Sequence, residues 1–68
     1  MESTPDVLIR NEGSIWLFTP MSDDGRQWIE NNVDPEAQWF GRALVVEHRY
    51  GPGLAEGMIG DGLNVAGT

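Results

Sequence analysis

The chain has 68 residues and no cysteine, with eleven Asp and Glu against four Arg, no Lys and one His, for a formal net charge of −7. That length allows one small domain with a marginal core, and the lack of Cys excludes disulfides and Cys-based zinc sites. The charge disfavours nucleic acid and anionic membranes as ligands of the chain itself and favours basic surfaces.

Residues 1–12 read as a polar lead-in ahead of a compact core at 13–66, within a single domain spanning 1–68. The apolar run Val7 to Ile9 suits a short edge strand or a cover for the core. No positively charged leader segment precedes it, and no apolar run approaches the roughly 20 residues of a membrane span. A cytoplasmic protein is the expectation. After Gly13, the β-branched and aromatic stretch Ser14 to Phe18 predicts a strand with both faces partly covered. Ile15 and Leu17 would point one way, Trp16 and Phe18 the other.

Ser22 is a good helix N-cap, and Asp23 and Asp24 suit the positive end of the helix dipole. The helix should run to about Asn32, with Trp28, Ile29 and Val33 on its apolar side. The Asp34-Pro35 pair stops it, because a residue before proline avoids the α region. Ala37 to Arg42 fits either a short strand or an irregular packed segment. Ala43 to His48 is a strand. Pro52 opens a second helix whose apolar stripe is Leu54, Ala55, Met58 and Ile59. Gly57 and Gly60 weaken that helix by about 1 kcal/mol each against Ala. Gly62 should stop it, and Leu63 to Ala66 closes the chain as a strand. The order is β-α-β-α-β, an α/β (α+β) domain with possible extra strands at Val7–Ile9 and Gln38–Phe40. A hairpin between the latter and Ala43–His48 would make it β-α-β-β-α-β, a ferredoxin-like pattern in miniature.

Five carboxylates, Asp23, Asp24, Glu30, Asp34 and Glu36, crowd residues 21–36 against the single Arg26. Asp23, Gln27, Glu30, Asn31 and Asp34 recur every three or four residues and form one polar stripe about 16 Å long at 1.5 Å per residue. Like charges at that spacing destabilise a helix by a few tenths of a kcal/mol per pair. Two readings are open. The stripe is an ordinary solvated face whose first-turn aspartates serve the helix, or it engages Lys and Arg side chains that would otherwise hold phosphates. In the second case binding weakens with salt.

Other candidates are weaker. His48 neighbours Glu47, but adjacent strand residues face opposite ways, and the chain lacks the ligands of a zinc site. Asp23, Asp24 and Glu30 lack a surrounding ligand loop for a cation. The glycines at 51–57 fit neither phosphate-binding pattern, and no nucleophile elbow is present. No enzyme, metal or cofactor is expected. Trp39 and Phe40 are the aromatics most expected to be exposed, and one of them is suited to anchor a partner beside the acidic stripe.

The stretch "SIWLFTP", then "QWIENNVDPEAQWFGRALVVEHRY" and "GMIGDGLNV", resembles short acidic proteins carried by phages and other mobile elements of bacteria, and among them the small anti-CRISPR proteins that act on the type I-C surveillance complex. The resemblance spans about Ser14 to Val65 and rests on pattern and size, without a catalytic motif. It implies inhibition by binding: an acidic DNA mimic occupying the basic site where the large subunit of that complex reads the motif flanking its DNA target. Charge then nominates Asp23, Asp24, Glu30, Asp34 and Glu36 as contacts, with Glu47, Glu56 and Asp61 behind them, in a chain expected to be a monomer. Arg26 and the glycines of the second helix dilute the negative surface. An acidic adaptor or antitoxin-like protein, bound to a basic partner without mimicking DNA, is the alternative.

Overall fold

The computed structural model describes residues 4–67. Seven elements follow one another: β1 (Val7–Asn11), β2 (Ile15–Pro20), α1 (Asp23–Asn32), β3 (Trp39–Phe40), β4 (Ala43–Glu47), α2 (Gly51–Gly60) and β5 (Val65–Gly67). The strands form one mixed sheet in the order β3-β4-β2-β1-β5. All neighbours are antiparallel except β1 and β5, which run parallel. From β2 onward the elements follow the β-α-β-β-α-β order, with β4 lying between the parallel β2 and β3. The fold is therefore a small α+β domain, with an added strand between β2 and β5.

That added strand is the N-terminal β1. It is neither an edge strand nor a lead-in: it pairs on both sides, and Val7 is completely buried. The compact core thus begins well before residue 13. β2 runs past Phe18 to Pro20, because β1 supplies partners as far as Val7 opposite Pro20. The closing strand starts at Val65, two residues later than the pattern suggests, since Leu63 is still tied by its N–H to the Met58 carbonyl.

The pleat sorts the side chains. Val7, Ile9, Trp16, Phe18, Leu44, Val46 and Val65 share one face, and both helices pack there. Ile29 of α1 and Met58 of α2 complete the core with Val7, Phe18 and Leu44. The opposite face carries Leu8, Ile15, Leu17, Phe40 and Val45 with Arg10, Thr19 and Glu47, and neither helix covers it. The two-sided cover expected of Ser14–Phe18 is thus supplied on one side only.

Close approach fixes both helices. Gly25 of α1 lies against the backbone of Asp6, so that a Cβ there would fall 2.3 Å from the Asp6 carbonyl oxygen. Gly51 lies flat on the Trp16 ring, where a Cβ would stand 2.5 Å from two ring carbons. α2 is capped by Asp61, followed by Gly62 in the left-handed region at φ 95°. Among the described residues, no helix is long and apolar enough to cross a membrane.

Candidate functional site

The acidic helix α1 is set by its N-terminus. Ser22, in extended conformation, accepts a hydrogen bond from the Gly25 N–H at 3.0 Å, and its hydroxyl donates to Asp6 Oδ1 at 2.6 Å. Asp6 Oδ2 also accepts from the Asn64 N–H at 2.8 Å. These bonds, the serine hydroxyl first and then the Asn64 amide, hold the Asp6 carboxyl below its usual value despite partial desolvation. One carboxylate thereby joins the start of β1, the cap of α1 and the approach to β5. Nothing local in the sequence marks Asp6 for this role.

Ile29 seats one side of α1 in the core and Trp28 packs against it, so Asp23, Asp24, Gln27, Glu30 and Asn31 are left facing solvent. The helix closes at Val33, whose N–H donates to the Ile29 carbonyl. Asp34 and Glu36 therefore sit in the following turn. There the Glu36 N–H donates to Asp34 Oδ1 at 2.8 Å and the Ala37 N–H to the Asp34 carbonyl at 2.9 Å. All five primary candidates are exposed, carried by one helix and one tight turn.

The β3–β4 hairpin brings an aromatic beside them. Trp39, 47% exposed, and Arg42 close a concavity of about 530 Å³ with Met21, Asp23, Arg26 and Glu30. Arg26 Nη2 donates to Asp23 Oδ1 at 2.9 Å. The concavity thus unites Trp39 with two of the nominated carboxylates, as an anchor beside the stripe requires, but it also admits two guanidinium groups. Arg42 is a member that helical spacing cannot find, since it reaches the helix only through the hairpin.

The three secondary candidates are not gathered with this group. Glu47 belongs to the opposite face of the sheet and pairs with Arg49 at 3.3 Å. Glu56 is exposed on α2. Asp61 has a partner of its own: its Oδ2 accepts from Trp28 Nε1 at 2.7 Å and so ties α2 to α1. His48 is exposed, and its backbone N–H donates to the Ser14 carbonyl. Arg49 lies over the Tyr50 ring at 5.0 Å at the end of the strand. Among the described residues, no three His, Asp or Glu side chains converge as a metal site would require, and no polar or charged residue is buried. What the arrangement offers is a surface of exposed charges with one aromatic beside it, suited to receiving cationic groups. Compared with known proteins, the chain matches no family model, no curated protein and no solved structure.

Proposed function

We propose that this protein is a non-catalytic inhibitor that lays α1 and its following turn on a basic, DNA-binding surface of another protein. The partner implied by the resemblance of the sequence is the large subunit of a type I-C CRISPR surveillance complex, blocked where it reads the motif flanking its target. The observation that carries the reading is the exposure of Asp23, Asp24, Glu30, Asp34 and Glu36 on one helix and turn, with Trp39 beside two of them. Glu30, Asp34 and Glu36 weigh most. They lie at or beyond the negative end of the helix dipole, where helix formation does not favour carboxylates.

Such a surface competes for Lys and Arg side chains that otherwise hold phosphates, so its binding weakens as salt rises. Trp39 supplies the desolvated contact that charge alone lacks. The test titrates the surveillance complex with this protein and measures its affinity for a target duplex. Competition is expected, weaker at high salt, and lost by at least about tenfold in the Glu30→Lys, Asp34→Lys double variant, a loss of about 1.4 kcal/mol or more. Unchanged DNA affinity at saturating protein would overturn DNA mimicry. Binding to the complex without competition would favour the adaptor reading.

A further inference from the structure

An antiparallel sheet with one face in water alternates apolar and polar residues along each strand, whereas strands covered on both faces read as continuous apolar runs. The central strands here belong to the second kind. β2 reads Ile15-Trp16-Leu17-Phe18 and β4 reads Ala43-Leu44-Val45-Val46. Both helices nevertheless pack on the same face. The other face presents Leu8, Ile15, Leu17 and Val45, all partly exposed, with Phe40 at its margin 72% exposed.

We propose that a second copy of this chain closes that face, giving a two-fold dimer of stacked sheets. Charge selects the occupant. The carboxylates of α1, α2 and the turn after α1 lie with the helix layer, whereas on the bare face Arg10 is paired with Glu12 and Glu47 with Arg49. A basic partner gains little from a face whose charges are already matched. An identical face, apolar and locally neutral, fits it and leaves both acidic helix layers outward. Position agrees, because β2 is the middle strand of five. A two-fold axis through Leu17 therefore sets Leu17 and Ile15 near their own counterparts, with Arg10 beside Leu17 on β1 and Glu47 beside Ile15 on β4, each already matched by its own ion-pair partner.

Area sets the strength. The strands hold 5, 6, 2, 5 and 3 residues, and at about 3.3 Å per residue and about 4.8 Å between strands they give a footprint of about 330 Å² per copy before side-chain relief. That lies below the size of stable interfaces and in the range of weak, transient ones, so a reversible dimer is expected, dissociating in the micromolar range or above. The sequence alone suggests a monomer; the bare apolar face argues for two copies, independently of the function proposed above.

Sedimentation equilibrium from about 10 μM to about 1 mM tests the proposal. The mass should rise from 7.5 kDa toward twice that value. Added salt should strengthen the dimer by screening two copies of charge −7, the reverse of its effect on a basic partner. Leu17→Lys should hold the protein at the monomer mass. Phe40→Lys, at a residue too exposed to be needed for folding, should do the same if Leu17→Lys fails to fold. Glu30→Lys, on the helix layer, should leave the dimer intact. A monomer at about 1 mM would overturn the proposal, as would a dimer that survives both substitutions on the face. So would a strictly monomeric protein in which Phe40→Lys abolishes effector binding, since the face would then belong to that partner.

Discussion

Replacing a helical glycine by alanine ordinarily stabilises a protein by about 1 kcal/mol, through helix propensity and a less flexible unfolded chain. Gly25→Ala should do the opposite. The new methyl would stand 2.3 Å from the Asp6 carbonyl oxygen and 3.1 Å from Val7 Cγ2. An ordinary contact needs about 1 Å more, and both neighbours are pinned. The Asp6 carbonyl accepts from the Met21 N–H at 2.7 Å, and Val7 is completely buried. Moving α1 outward also stretches the Ser22 hydroxyl bond to Asp6. Overpacking costs about 1–3 kcal/mol, and weakening two hydrogen bonds, one to a carboxylate, adds about 1–2 kcal/mol. Less the propensity gain of about 1 kcal/mol, the net loss is about 1–4 kcal/mol, a large share of the total stability of a domain this small. Thermal unfolding followed by far-ultraviolet circular dichroism should show the midpoint falling by at least about 4 °C. Gly53→Ala is the control, because no atom lies within 4 Å of its Cβ position and it is exposed. Its midpoint should rise by about 4–8 °C. A Gly25→Ala protein melting at or above the parent would refute the tethering of α1 to Asp6.

Four further outcomes are expected. Asp6 has a lowered carboxyl pKa in the folded state, so its contribution is full above the ordinary value of 3.8 and is lost as pH falls through the lowered value; the gap in denaturant midpoint between the parent and Asp6→Asn should therefore shrink below pH 3.8, and a gap unchanged down to about pH 2 would contradict this. Trp28→Phe removes the indole N–H donated to Asp61 and should cost about 1 kcal/mol in urea titration, while Asp61→Asn, which keeps an acceptor, should leave competition with duplex DNA unaltered. Arg42→Glu removes a cation from the concavity beside Trp39 and should tighten binding to the basic partner several-fold in a competition assay without moving the melting temperature; unchanged binding would place the concavity outside the contact surface, and weaker binding would make Arg42 itself a favourable contact.

The parts of the fold written in short-range chemistry are legible in the sequence. Ser22, the two first-turn aspartates and the Asp34-Pro35 stop place α1 to within a residue. Gly62 marks the end of α2 because the turn after it needs a positive φ. The position of β1 is not legible, since Val7 to Asn11 has the same composition at an edge as in the middle of a sheet. Only pairing with β2 and β5 decides, and β5 lies at the other end of the described chain. The site divides in the same way. Exposure of Asp23 and Glu30 follows from their spacing relative to Ile29. Asp61, by contrast, finds Trp28 across 33 positions, and Asp6 finds Ser22 across 16 and Asn64 across 58. Carboxylates that serve the fold therefore look, in sequence, like carboxylates available to a partner.

The place of β1 also bears on how the protein is made. Of the described strands it is the first to be synthesised, yet its parallel neighbour β5 is the last of them. Until Val65–Gly67 emerges, one side of β1 is an unpaired strand edge of the kind that recruits other chains. The acidic surface then gives the nascent chain its protection, through repulsion between copies, before the sheet can close. A fusion or shortening that keeps β5 from docking would leave that edge permanently open. Low yield and aggregation would follow, in a protein whose composition alone promises high solubility.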